Sequence, residues 1–225
     1  MAWGTDGRAY YADWIGGYPL DGKGAVWRLD VASTVDKSSE EFLSKPFSVA
    51  VPKEECLRLL GHRDQRVRVN ASIRLHRQEA WSEMLAVAKD VNATRLARIH
   101  AIWGYGMGLR HARVADLSPA LSLLDDADTE ICVQALKVFS ETKRTPELIA
   151  KASAQLAQAD LRLRTQAGIT LGKLGGQLPF DAFVRDATAE LRLPWLRHGL
   201  VTGLAGTQEP SALLKVAQAL SLIHI

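Results

Sequence analysis

The sequence predicts a mainly α-helical protein, an α-solenoid of about five helix pairs preceded by a β-hairpin. Three observations carry this. From Lys53 onward apolar residues recur at three and four, with short polar breaks every 12 to 18 residues, the pattern of successive amphipathic helices. One motif returns with a period in the low thirties, and a two-helix unit of that length signifies a solenoid. Residues 1–31 differ: they hold six of the 17 glycines, three of the six Trp and three of the four Tyr, with apolar alternation at a period near two, as in strands.

Taken in order, Arg8 to Trp14 and Ala25 to Leu29 read as strands, and Gly16, Gly17, Pro19, Gly22 and Gly24 supply the backbone freedom and fixed φ of the turn between them. No third or fourth strand is evident for Tyr10, Trp14 and Trp27 to pack against, and two strands alone are marginal. Residues 32–52, with Ser38, Ser39, Pro46 and Pro52, read as a linker holding one short helix. Helices follow at 53–60, 64–77, 79–90, 93–107, 115–124, 128–142, 146–157, 160–174, 179–189, 195–205 and 210–219. They alternate as pairs, so 53–219 forms the repeat region.

The repeat is explicit. Asp64, Arg66, Arg68, Ala71, Ile73 and Leu75 match Asp160, Arg162, Arg164, Ala167, Ile169 and Leu171 at an offset of 96. A third copy runs from Asp128 through Cys132 and Ala135 to Phe139, and looser copies centre on Arg98 to Ala101 and on Arg197 to Leu200. Positions equivalent to Arg68 are spaced by 30, 34, 32 and 33 residues. Each opening Asp can cap the second helix of its pair by accepting from free N–H groups. The small residue at 71, 101, 135 and 167 lets neighbouring pairs approach closely. The fifth copy departs most, with Pro194 at its start and Leu200 where the small residue belongs.

This D-x-x-V-R-x-x-A-x-x-x-L pattern resembles the HEAT repeat over roughly residues 53–219. Tyr10 to Gly17 and Gly22 to Leu29 resemble the closing blade of a propeller of the sorbosone/glucose dehydrogenase type. A blade joined to Leu60–Arg68 and Arg98–Gly104 is similar to a group of large membrane-bound dehydrogenases of planctomycetes and verrucomicrobia. That resemblance implies a parent with propeller, HEAT repeats and cytochrome c, carrying haem c and a quinone cofactor, in the bacterial periplasm or at its membrane. On this reading Met1 is internal to a longer protein and residues 1–31 are a blade remnant; the alternative is that the hairpin caps the first helix pair. The chain has no CxxCH for haem attachment, so no cofactor is expected on these residues. Leu220 to Ile225 reads as a non-native tail, since a transposon end used in sequencing adapters encodes this hexapeptide.

Composition excludes several classes. With 47% hydrophobic and 24% charged residues the chain can bury a core. Its net charge of +3 is too small to imply a polyanion partner without clustering. Cys56 and Cys132 lie 76 apart with no CxxC, which disfavours zinc and disulfide frameworks. No apolar run approaches the roughly 18 residues that span a bilayer, and Met1–Asp13 lacks the order of a signal peptide. Gly104, Gly106 and Gly108 lack the preceding strand that a dinucleotide loop needs, and read as helix termination with tight packing. The histidines at 62, 76, 100, 111, 198 and 224 show no HExxH, and His100 reads as a core or interface residue. Asp6, Asp13 and Asp21 are better explained as turn formers than as calcium ligands.

At 100° per residue Arg66, Asn70, Arg74 and Arg77 share one stripe, repeated as Arg162, Gln166, Thr170 and Lys173. Repeat three places Glu130, Gln134, Val138 and Glu141 there, and repeat two Leu96, His100, Gly104 and Met107. The basic track is interrupted, which disfavours nucleic acid. The expected function is a noncatalytic scaffold whose stripe faces protein or neighbouring domains. A catalytic constellation is absent from these motifs, so enzymatic activity belongs to the alternative, a sugar or alcohol dehydrogenase parent. A HEAT-like nucleic-acid-binding protein of the alkylpurine glycosylase type ranks third.

Overall fold

A computed structural model of the chain describes residues 1–4, 6, 8–14, 24–30, 37–176 and 192–214. It is mainly helical, with one small antiparallel sheet of strands β1 (Ala2–Trp3), β2 (Ala9–Trp14) and β3 (Gly24–Leu29) in the order β1-β2-β3. The third strand corrects the two-strand expectation: β1 pairs through Ala2 with Tyr10 and through Trp3 with Ala9. Two residues are too short to show a period, so only the pairing reveals the strand. Opposite partners Tyr11 and Trp27 stack with ring centroids 6.4 Å apart.

The helices are α1 (Lys37–Ser44), α2 (Lys53–Leu59), α3 (Gln65–Arg77), α4 (Trp81–Lys89), α5 (Arg95–Arg110), α6 (Thr129–Phe139), α7 (Pro146–Gln155), α8 (Leu161–Leu174) and α9 (Pro194–Thr207). Where a helix was expected at 115–124, the chain winds as a 3-10 helix over Ser118–Asp125. Residues 210–214 are helical. The helix expected at 179–189, the end of 210–219 and the tail 220–225 lie outside the described residues.

Caps fall where the repeat puts them. Asp64 accepts from the Arg66 N–H at 2.9 Å, Asp128 from Glu130 at 3.0 Å and Asp160 from Leu163 at 2.8 Å. In the second copy, which lacks the Asp, Thr94 caps α5 by accepting from Ala97. Each cap answers one of the free donors of a first helical turn.

Helices α3, α5, α6, α8 and α9 each pack on the next, forming one row. Helices α2, α4, the 3-10 helix and α7 each pack on the row helix that follows them in sequence. The core runs between the two sets: Leu60, Leu75, Met84, Ile102, Leu124, Leu136, Phe139 and Leu148 are fully buried. Ala71, Ala101, Ala135 and Ala167 are all 0% exposed, as their size suggested. In the last junction the small residue is Gly199, one position before the expected site; a Cβ on Gly168 would lie 2.5 Å from the Gly199 carbonyl oxygen, so the α8 and α9 backbones nearly touch. Leu200 instead points into the core at 1% exposure.

The repeat arginines serve the fold. Arg68 donates to the carbonyls of His62 and Arg63, Arg98 to that of Ala88 and Arg164 to that of Leu156. Arg98 and Arg164 tie the second helix of a pair to the end of the first, satisfying carbonyls that a helix terminus leaves open, whereas Arg68 ties α3 to the turn that follows α2. Cys132, which replaces arginine in the third copy, makes the same tie with its thiol, to the carbonyl of Asp126 at 3.3 Å.

The glycines of α5 do not end a helix. They lie inside it, and α5 runs on to Arg110. Added Cβ atoms at Gly104 and Gly106 would meet Met84 and Val138 at 2.5 Å. These positions let neighbouring helices close in, so the packing half of the expectation holds and the termination half does not.

Candidate functional site

The expected stripe divides when placed on the row of helices. Positions 100, 134 and 170 are 3%, 5% and 0% exposed, and Val138 and Gly104 are buried as well. A row helix has neighbours on three sides, so its buried arc is wider than a half-turn and takes in the inner half of the stripe. The outward row runs instead through Arg66, Ile73 and Arg77, then Leu96, Trp103 and Met107, then Glu130, Lys137 and Glu141, then Arg162, Ile169 and Lys173. Ile73, Trp103, Lys137 and Ile169 were not placed on the stripe by the sequence. They sit seven residues after the first position of each stripe, at nearly the same helical angle, and only contacts with neighbouring helices decide which side of the stripe is covered.

In repeat one the stripe is largely claimed by the N-terminal region. Arg74 is 3% exposed. Its guanidinium donates to Asn70 Oδ1 at 2.8 Å and to the carbonyls of Val49, Lys45 and Pro46. It also lies over the rings of Phe42 and Phe47. Arg77 stacks over Phe47 at 4.5 Å, and Arg66 grips Asp64 while donating to the carbonyl of Gly4. Arg74 is therefore turned into the fold, whereas Asn70 is half-buried and lines an open cavity together with Val69 and Ile73. Residues 37–52, read as a linker, pack on α3: Phe42 and Val51 are buried, and Gln78 donates to the Val51 carbonyl at 3.0 Å. Replacing Arg74 by Leu should release this segment, raising the rate of protease cleavage within 45–52 about tenfold or more. An unchanged rate would show that Phe42 and Val51 hold the segment alone.

Carboxylates of repeat three pair with cations of the repeats on either side. Repeat three supplies Asp125, Asp126, Asp128, Glu130 and Glu141, which take Lys151, Arg98, Arg95, Arg162 and both Arg110 and Lys173 respectively. The interruption of the basic track is thus also a neutralisation of the basic residues on either side. Gln166 makes a 3.4 Å contact with Thr170, whose hydroxyl donates to the Leu136 carbonyl at 3.0 Å. Trp103 Nε1 donates to Gln134 Oε1 at 3.0 Å, and Gln134 donates to Glu130, which pairs with Arg162. Polar contacts so link α5, α6 and α8 across the outward face.

His100 lies beneath Trp103, ring edge to ring, with centroids 4.8 Å apart. Burial, then the nearby Arg68 charge, lower its pKa to about 4. An unfolded histidine binds its proton near pH 6.5. The stability due to neutral His100 is therefore full above that pH and is lost as the pH falls toward 4, by about 3 kcal/mol. His76 is lowered too, by burial and then by His111, and acts in the same direction. Acid denaturation of a His100→Gln variant should be visibly shallower. An identical slope would place the proton uptake elsewhere.

Burial pushes the Cys56 and Cys132 thiols up, the latter to about 11, so neither is a ready nucleophile. Among the described residues no group of three or more His, Cys, Asp or Glu is placed to hold a metal ion, and no helix is long and apolar enough to cross a membrane. Two open cavities flank α3. One, of about 460 Å³, lies between residues 47–53 and Arg74, Arg77 and Gln78. The other, of about 410 Å³, lies between Trp3 and Gly4 on one side and Leu43, Phe47, Val69 and Ile73 on the other. No family model matches the chain, and no curated protein matches it.

Proposed function

We propose that the chain is a noncatalytic HEAT-repeat scaffold, an α-solenoid whose outward row of second helices meets protein or neighbouring domains within a larger redox protein. The observation that carries the reading is the row itself. Five helices pack in sequence order at the period of the motif, and side chains that could have been solvated pair from one repeat to the next. Such a row offers an extended face whose exposed residues select a partner by shape. The residues that resemble a propeller blade motivate the redox parent. Trp3, Trp27 and Leu29 remain exposed on the sheet, which favours a neighbouring domain as one partner. Binding of nucleic acid is disfavoured, because Arg95, Arg110 and Arg162 are matched by carboxylates.

Photo-cross-linking side chains placed at Trp103, Lys137 or Ile169, and for comparison at Ala86 and Ala150 on the other set of helices, test the reading in the cell that carries the gene. Discrete protein adducts from the first three positions only are expected. Equal products from both sets, or none from either, would overturn it.

A further inference from the structure

We propose that the cavity of about 460 Å³ between residues 47–53 and α3 binds a small organic anion, an oxyanion head on an apolar body. Such a site goes beyond the scaffold reading and does not depend on it. Hydrogen bonds tie this part of the chain to α3 through its carbonyls: Arg74 takes those of Lys45, Pro46 and Val49, and Gln78 takes that of Val51. These acceptors are consumed by the fold. What stays uncommitted is mostly donors. Arg77 is exposed and held over the Phe47 ring at 4.5 Å. Among the described residues it has no carboxylate partner and no acceptor, so its whole guanidinium fork is available. Arg74, 3% exposed, spends four of its five N–H groups on neutral oxygens, and no carboxylate among the described residues answers its charge. Val51 is 5% exposed, yet its backbone N–H, like that of Ala50, finds no acceptor among the described residues. Buried donors of this kind are nearly always paired.

Charge on the lining has one sign. Among the described residues no Asp or Glu lines the cavity, Lys53 is matched by Glu83, and the side-chain acceptors, Gln78 Oε1 and the Ser48 hydroxyl, are neutral. The charges of Arg74 and Arg77 therefore stand outside ion pairs, unlike those of Arg66, Arg95 and Arg110. An entering oxyanion gains charge-assisted hydrogen bonds, whereas a cation meets repulsion and a neutral group makes only the weaker kind. The walls decide what carries the oxyanion. Phe47 and Val49 are 40% and 46% exposed, and Ala50 and Pro52 line the same space, so an apolar body takes their surface out of water. A concave, mostly apolar wall of this volume with a few convergent polar groups is the usual build of a small-molecule site. Because Arg77 stacks on Phe47, fork and wall are set at one edge before a ligand arrives.

The test is an amide NMR titration of the full chain with four probes: naphthoate, naphthyl phosphate, the neutral naphthalenemethanol and inorganic phosphate. At least one aromatic anion should bind with a dissociation constant below about 1 mM, the range open to a ligand of this size. Its largest shifts should fall on the Ala50 and Val51 amides and the Gln78 side chain, and the tighter of the two anions names the head group. The neutral alcohol, which lacks the charge, and inorganic phosphate, which lacks the body, should each bind at least about tenfold more weakly. Arg77→Gln should weaken the aromatic anion about tenfold, whereas Arg162→Gln, at an arginine paired with Glu130 away from the cavity, should change nothing. Ser48→Glu, at an exposed position of the lining, adds negative charge without altering α3 and should weaken the anion by about fivefold or more; it carries the test alone if Arg77→Gln proves unstable. Equal affinity for the aromatic anion and the alcohol, or for the aromatic anion and inorganic phosphate, would overturn the proposal. So would shifts centred on Trp3 and Val69 beside the other cavity, binding of both aromatic anions weaker than about 1 mM, or unchanged affinity in Ser48→Glu or in folded Arg77→Gln.

Discussion

Replacing Ala167 by Asp should lower the free energy of unfolding by about 4 kcal/mol, because it puts a carboxylate into a seam with no room and no water. Ala167 is 0% exposed, and its neighbour Gly168 lies so near Gly199 that even a methyl group there would collide with backbone. The cation next along the same helix is already engaged, since Arg164 Nε donates to the Leu156 carbonyl at 3.0 Å. The carboxylate must then be buried unpaired, be neutralised by a proton, or force α8 away from α6 and α9, and each is costly. Denaturant titration decides it. Ala167→Gly should cost only about 1 kcal/mol, the ordinary penalty of glycine in a helix, which separates the charge effect from mere substitution. An aspartate variant as stable as the parent would mean that position 167 is not in the seam and that the repeat register is displaced.

The register was legible because it depends on local spacing. Asp64, Asp128 and Asp160 cap helices, and Ala71, Ala101, Ala135 and Ala167 are buried, as a motif repeated within one chain requires. What the spacing could not show is which flank of each helix meets its neighbour. A helical wheel places Arg74 beside Arg77, yet one is buried on the carbonyls of 45–49 and the other lies over Phe47. The difference comes from a segment some 25 to 29 residues earlier in the chain, whose own composition is that of a linker. Strand β1 escaped for a similar reason, being two residues long and defined only by its partner. Gly104 to Gly108 misled because glycine has two uses in helical proteins, ending a helix or admitting a close neighbour. Only the presence of Met84 and Val138 against those positions selects the second.

Among the described residues the Arg98 and Asp126 pair should prove the most sensitive electrostatic contact, with Arg98→Leu costing about 3 to 5 kcal/mol. The side chains are 6% and 11% exposed. Arg98 reaches both carboxylate oxygens of Asp126 while its Nε donates to the Ala88 carbonyl at 2.9 Å. Asp126 in turn accepts from the Asp128 N–H at 2.9 Å, and its carbonyl takes the Cys132 thiol. Removing the guanidinium leaves a buried carboxylate with one remaining donor and reopens a helix-end carbonyl, so the loss exceeds the net worth of the pair. Arg98→Lys should recover little, because a single ammonium cannot serve Ala88 and both oxygens together. Adding Asp126→Asn to Arg98→Leu removes the stranded charge and should restore about half of the lost stability. By contrast, Arg162→Leu removes an exposed pair with Glu130 and should cost less than about 1 kcal/mol, declining with salt. Denaturation of these variants at low and high salt separates the two kinds of contact. If Arg98→Leu were as mild as Arg162→Leu, or if Asp126→Asn gave no recovery, the junction between repeats two and three would be held by packing alone.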